Sequence, residues 1–141
     1  MTMRKLLLVA ALAAGGFHLW QVHHRSILAR ELMAYADSNG FVPIAAPDGA
    51  APDKVVILAA LNCPSAQAKR ADAMASQLER MGIPVSRANQ YSVSRLTPDQ
   101  MPLITRTNTV LTGEIPIVVI NGRAKANPTV DEVAAEFRLG Q

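Results

Sequence analysis

The hydrophobic pattern of the chain begins with a long apolar stretch at the N-terminus. Residues 6–22 are mostly apolar, and they follow the basic pair Arg4-Lys5. A positively charged start before an apolar body is typical of an export signal. The stretch is barely long enough for a helix that must cross a ~30 Å hydrocarbon core. We predict that residues 1–25 are a signal anchor whose helix spans the membrane, with a cleaved signal peptide or a buried soluble helix as alternatives.

The pattern changes after Ser26. This serine can cap a second helical stretch, which ends before the turn-forming residues 37–40. Residues 41–53 contain three prolines, scattered alanines and a glycine, a composition that does not sustain a helix or a central strand. We therefore predict a helical stalk and a linker over 26–53, and a folded domain over 54–141.

The domain opens with a strand pattern followed by a helix pattern. Residues 55–60 are an unbroken apolar run that starts with β-branched side chains, as expected for a strand buried on both faces. From 66 to 81 apolar residues recur at helical spacing, charged residues take the other face, and Gly82 ends the pattern.

The only cysteine of the chain lies between this strand and this helix, in the sequence Asn62-Cys63-Pro64-Ser65. Pro64 suits the first helical position, which would make Cys63 the cap. Unpaired N–H groups and the helix dipole at that position favour a thiolate. We predict a partly exposed Cys63 with a pKa below that of free cysteine. The alternative is an inert cysteine that acts as a small buried hydrophobe.

The rest of the domain predicts two more helices and three more strands. Asn121-Gly122 is a strong hairpin-turn signal, and Thr129 with Glu132 forms a capping box before the last helix. Strands joined by a helix are parallel and hairpin strands are antiparallel, so we predict an α/β fold with a mixed four-stranded sheet. The predicted segments are a strand over 83–88, a short or irregular helix over 97–112, a hairpin over 115–125 and a helix over 129–138.

Charge and composition exclude several classes of function. The formal net charge is +3, but all 11 acidic residues and 11 of the 14 basic residues lie from Ser26 onward, so the domain has no basic field for nucleic acid. A single cysteine cannot form an internal disulfide. The three histidines, His18, His23 and His24, have no nearby cysteine or carboxylate to complete a metal site. We therefore predict neither a nucleic-acid partner nor a bound metal.

Three features in this order resemble the thioredoxin-like superfamily, most of all a monothiol glutaredoxin. They are the strand before Cys63-Pro64, the Ile115-Pro116 pair before a strand, and the Asn121-Gly122 hairpin followed by a capped helix. The resemblance implies the order β-α-β-α-β-β-α, with Cys63 as the nucleophile. It also implies a cis Ile115-Pro116 bond beside Cys63, with Pro64, Ile115 and Pro116 as the substrate-binding residues.

The sequence also departs from that family. Ala66 stands where a dithiol glutaredoxin has its second cysteine, and Ala126-Asn127 replaces the glycine pair that helps to hold glutathione. We therefore predict no bound cofactor, with glutathione as the alternative. Arg70 on the Cys63 helix and the hairpin residues Arg123 and Lys125 either raise a positive potential near the thiol or are solvated surface charges, and we favour the second interpretation.

Two functions follow as hypotheses, and the sequence leaves open whether the protein is an enzyme. The first is a membrane-anchored thioredoxin-like protein whose Cys63 exchanges with a disulfide of a protein partner and forms a mixed disulfide. The alternative is a non-catalytic binding or assembly module of the same fold at the membrane. The positive N-terminus predicts a domain on the extracytoplasmic, periplasmic side, or a secreted domain if the signal is cleaved.

Overall fold

A computed structural model describes residues 3–49, 53–94 and 97–141. The chain forms two compact units, Met1–Ala34 and Tyr35–Gln141. In the first unit, helix α1 (Met3–Met33) runs without a break through the predicted boundary at residue 25.

Within the described residues, no helix has an apolar stretch long enough to cross a membrane. The prediction that a membrane-spanning helix precedes the domain is therefore wrong. The physical reason lies in the apolar run itself, which is short for a bilayer and is interrupted by His18 and Gln21.

The second unit is an α/β domain with a mixed five-stranded sheet in the order β1-β5-β4-β2-β3. Strands β2 and β3 are parallel, and the other neighbouring strands are antiparallel. The predicted count of four strands is wrong, because β1 comes from the segment that was expected to be a linker. The elements are β1 (Val42–Pro43), β2 (Val55–Leu58), α2 (Ala66–Arg80), β3 (Val85–Ala88), a 3₁₀ turn (Pro98–Gln100), α3 (Met101–Leu111), β4 (Ile117–Ile120), β5 (Arg123–Ala126) and α4 (Val130–Leu139).

Strand β1 forms because it and the residues adjacent to it in sequence bury apolar side chains in the domain. Phe41 is 0% exposed, and Val42, Ile44 and Ala45 are also buried. Val42 pairs with Ala124 at the edge of the sheet. An edge strand tolerates a proline such as Pro43, because a missing N–H does not interrupt a central ladder. The prolines of residues 41–53 are therefore incompatible with a central strand but compatible with an edge strand.

Helix α2 packs one face against the sheet through small and apolar residues that include Ala71, Met74 and Leu78. Its N-cap is Ser65, whose Oγ accepts a hydrogen bond from the backbone N–H of Ala68 at 3.2 Å. The prediction that Cys63 caps this helix and that Pro64 opens it is thus wrong. Serine is a strongly preferred N-cap, and the helix begins only after it.

Local signals in the second half of the domain gave the right elements. Asn121 and Gly122 have φ values of 48° and 73°, which confirms the two-residue hairpin turn between β4 and β5. The capping box of Thr129 and Glu132 starts α4, which buries Val133 and other apolar residues. Helix α3 is regular over 11 residues, contrary to the short or irregular helix that the prolines and threonines predicted.

Candidate thiol site

The strand register brings the predicted site segments to one end of the sheet. Strand β2 leads into the Cys63 loop, and β4 follows the Ile115-Pro116 pair. These two strands are antiparallel with Leu58 opposite Ile117, so the chain leaves β2 where it enters β4. The Ile115-Pro116 peptide bond is cis, as predicted.

Cys63 is partly exposed in the loop before α2. A hydrogen bond with the Ser65 side chain and a second one with the Ser65 backbone lower the pKa of the Cys63 thiol, and the small desolvation of the sulfur opposes them. Hydrogen bonds to a thiolate favour the charged form. The predicted direction of the pKa shift is confirmed, but its cause is Ser65 rather than a capping position of Cys63 itself.

Ser65 is therefore a functional candidate to which the sequence pattern assigned no role. Its hydroxyl oxygen accepts the Ala68 N–H, and the same hydroxyl can donate its proton to the Cys63 sulfur. Asn62 has a left-handed φ of 53°, which turns the chain between β2 and Cys63. The preference of helices for serine at the N-cap was the sequence signal that could have identified Ser65.

Arg70 joins α2 to the segment before the cis-proline. Its Nη2 donates to the carbonyl oxygen of Ile115 at 2.6 Å and lies 3.2 Å from Oε1 of Glu114. This guanidinium competes with any partner that pairs with the Ile115 carbonyl. The sequence gives no local sign of the contact, because Arg70 and Ile115 are 45 positions apart.

The predicted substrate-binding residues differ in exposure. The side chain of Ile115 is 38% exposed and Pro64 is also exposed, whereas Pro116 is fully buried. Ile115 and Pro64 therefore offer surface at this end of the sheet. Pro116 has no exposed surface to offer to a partner.

The two cations of the hairpin are engaged in ion pairs. Arg123 lies beside Asp37 and Glu136, and Lys125 lies 2.8 Å from Glu132. Both side chains are mostly buried, so the prediction that they are solvated surface charges is wrong. The reason is that the unexpected segment before β1 brings Asp37 over the hairpin.

A cavity of about 290 Å³ opens at the carboxyl ends of β2 and β3 and reaches Ile115. Its walls include Leu58, Ala59 and Leu111. Tyr91 also lines it, and burial raises the pKa of Tyr91 to about 12, so its hydroxyl stays protonated and donates to the carbonyl oxygen of Ala45. The cavity thus combines apolar side chains with the polar residues Asn89 and Gln90, and the hydroxyl of Tyr91 donates to the main chain.

Among the residues that the structure describes, no group of three His, Cys, Asp or Glu side chains is placed to hold a metal ion. Comparison of the chain with protein-family models, with curated proteins and with solved structures found no match.

Proposed function

We propose that the protein is a thioredoxin-like monothiol protein in which Cys63 exchanges with a disulfide of a protein partner. The observation that carries the proposal is the pair of Ser65 hydrogen bonds that lower the pKa of a partly exposed thiol. The thiolate is the attacking species in disulfide exchange, so a lower pKa increases the reactive fraction at neutral pH.

The exchange step involves only the Cys63 thiolate and the partner disulfide and needs no cofactor. The Cys63 thiolate attacks one sulfur of the partner disulfide, a bond forms between these two sulfurs, and the other partner sulfur leaves as a thiolate. The chain has one cysteine, so it cannot resolve this mixed disulfide by itself. A second thiolate, of the partner or of a third molecule, must attack the partner sulfur of the mixed disulfide. A new disulfide forms between these two sulfurs, and Cys63 leaves as a thiolate.

The surroundings of Cys63 suit an extended partner segment. Ile115 offers an exposed side chain beside the cis bond, and the adjoining cavity can accept an apolar side chain of the partner. Backbone pairing to Ile115 gives affinity in many extended-peptide complexes, while pockets give specificity. Here Arg70 competes for the Ile115 carbonyl.

The test is the rate of alkylation of Cys63 against pH, with Cys63→Ser as the blank, combined with trapping of mixed disulfides in cells. We expect an apparent pKa below the ~8.5 of free cysteine and a trapped protein that the Cys63→Ser variant loses. A pKa at or above that of free cysteine, with no trapped protein, would rule out the thiol chemistry.

A second candidate function is a binding module of the same fold without thiol chemistry. The cavity beside Ile115 favours it, because an apolar side chain can dock there without any reaction at sulfur. The two proposals differ in the Cys63→Ser variant. Partner binding survives this substitution in the binding module and is lost, together with the mixed disulfide, in the redox protein.

The location of the domain outside the cytoplasm stays a prediction that rests on the basic pair Arg4-Lys5 before an apolar segment. A reporter fused after Gln141 tests it. Activity of a reporter that works only in the cytoplasm would contradict this location.

A further inference from the structure

A pair of acidic side chains lies where the turn at residues 37–41 meets β5 and α4. Glu136 of α4 is 6% exposed, and the Asp37 side chain of the turn is 20% exposed. Nε of Arg123 lies 3.0 Å from Oδ2 of Asp37 and 3.4 Å from Oε1 of Glu136. Two acids thus face a single guanidinium in a largely buried site.

The neighbouring charged groups do not supply a second cation to this pair. Nζ of Lys125 lies 2.8 Å from Oε1 of Glu132 and donates to the carbonyl oxygen of Asn39. The Asn39 side chain donates to Oε2 of Glu136 at 3.0 Å. In the part of the chain that the structure describes, Arg123 is the one cation paired with Asp37 or Glu136.

The pair also fastens a segment of the chain, residues 35–45, which we call the strap. Oδ1 of Asp37 accepts the backbone N–H groups of Asn39 and Phe41, each at 2.9 Å. Nη2 of Arg123 donates to the Phe41 carbonyl at 2.9 Å. Further along, the Ile44 N–H donates to the carbonyl of Gly122. The strap carries β1 and the fully buried Phe41, so its attachment closes one edge of the sheet.

Oδ2 of Asp37 and Oε1 of Glu136 both lie within 3.4 Å of the same nitrogen, Nε of Arg123, so the two carboxyl groups are close neighbours. Two ionised carboxylates at such a site repel each other, and one guanidinium neutralises only one of them, so the site favours the protonated form of one acid. Burial, followed by the contact with Asp37, raises the pKa of Glu136. Burial opposes the shift at Asp37, but hydrogen bonds from Phe41 and Glu136 together lower its pKa. Glu136 is therefore the acid of the pair that holds the proton more strongly.

We propose that Asp37 and Glu136 form a one-proton pair that fastens the strap to the sheet more tightly at mildly acidic pH than at alkaline pH. The stabilisation that Glu136 contributes is present below its ordinary pKa and is lost as the pH rises through its raised value. The contribution of Asp37 is present above its ordinary pKa and is lost as the pH falls through its lowered value. Attachment is strongest between these limits.

Amide hydrogen exchange of the full chain, corrected for intrinsic exchange rates, tests the proposal between about pH 5 and about pH 9. We expect protection at Phe41, Ile44 and Ala45 to fall several-fold toward alkaline pH, while the β2 amides serve as the reference. The Glu136→Gln variant keeps a neutral donor to Asp37. It should hold the strap at the protection of mildly acidic pH over the whole range.

The matched control is Glu132→Gln, which removes an acid on the same helix that pairs with Lys125 instead. It should keep the alkaline decline of the wild type. A strap protection that does not change with pH in the wild type would overturn the proposal. An alkaline decline that persists in Glu136→Gln, or that Glu132→Gln abolishes equally, would do the same.

A second measurement follows the titration of Glu136 directly. Carboxyl ¹³C NMR of the wild type should show Glu136 titrating above the other glutamates of the chain, and Asp37→Asn should move that titration back toward the ordinary range. If Glu136 titrates at or below the ordinary range, the pair does not hold a proton and the proposal fails.

Discussion

Cys63 in its loop and Glu136 of α4, which faces the strap, are both acids with a shifted pKa, but their surroundings are opposite. The Cys63 thiol is partly exposed, and the Ser65 hydrogen bonds are the main cause of its lowered pKa. Glu136 is 6% exposed, and burial is the main cause of its raised pKa. Formation of a charge near solvent costs little free energy, whereas formation of a buried charge costs much more unless the charge is paired.

Because of this difference, we expect the Cys63 site to affect thiol reactivity and the groups around Glu136 to affect the stability of the fold. A hydrogen bond to an exposed thiolate changes the reactive fraction of the thiol and has little effect on unfolding. Loss of a group that holds the strap, such as Arg123, leaves an uncompensated buried group and therefore acts on the fold. Substitutions at the two sites should divide accordingly between thiol kinetics and the free energy of unfolding.

The largest expected effect is in the strap. Phe41→Ala removes a fully buried aromatic side chain and should lower the free energy of unfolding by about 3–5 kcal/mol. Urea unfolding measures the loss. The control is Leu61→Ala in the Cys63 loop, where a 45% exposed side chain should contribute less than about 0.5 kcal/mol. A loss at Phe41 as small as this control would mean that residues 41–45 belong to the linker that the sequence pattern predicted.

The second effect concerns Arg123 of β5, the cation that contacts the strap. Arg123→Gln leaves Asp37 and Glu136 without a cation, which should cost about 2 kcal/mol; this is below the range for a fully buried pair because the Arg123 side chain is 31% exposed. The loss should grow toward alkaline pH, where both acids ionise. Unfolding at several pH values checks it, and the alkylation rate of Cys63 should stay unchanged. Lys125→Gln, which disrupts a separate ion pair, should cost less and show no such growth.

Substitution of Ser65 should affect mainly the reactivity of the thiol and only secondarily the stability of the fold. Ser65→Ala removes the hydroxyl that bonds to Cys63, so the thiol pKa should rise toward the ~8.5 of free cysteine. Loss of the N-cap should lower stability by about 1 kcal/mol. Alkylation against pH and urea unfolding measure the two effects. Ser65→Thr keeps both the hydroxyl and the cap, and it should restore both properties. An unchanged thiol pKa in Ser65→Ala would remove the main support for the proposed thiol chemistry.

The smallest effect on stability is expected at Arg70. Its ion pair with Glu114 is exposed, so Arg70→Ala should change the free energy of unfolding by less than about 1 kcal/mol. The same change frees the Ile115 carbonyl and should speed the reaction of Cys63 with a peptide disulfide relative to a small aromatic disulfide. Lys69→Ala, an exposed neighbour on α2, is the control. Equal rate ratios in both variants would show that Arg70 does not restrict access to Ile115.

Several elements could be predicted because their signals lie within a few residues of one another. The apolar run of β2, the helical spacing of α2, the Asn121-Gly122 turn and the capping box of Thr129 all depend on local sequence. Local rules could also have identified Ser65 as the N-cap, since serine is a better N-cap than cysteine. The preference of proline for the first helical position led instead to a predicted start at Pro64, two residues before the observed start at Ala66.

What the sequence by itself determined was the order of elements from Val55 onward and the place of the single cysteine between β2 and α2. Only the tertiary structure decided that β1 joins the sheet, because the burial of Phe41 depends on surfaces that other elements supply. Likewise, Asn39 and Glu136 are 97 positions apart, and nothing in the sequence around either residue identifies the other. Contacts of this kind arise when the chain closes on itself, and local spacing carries no information about them.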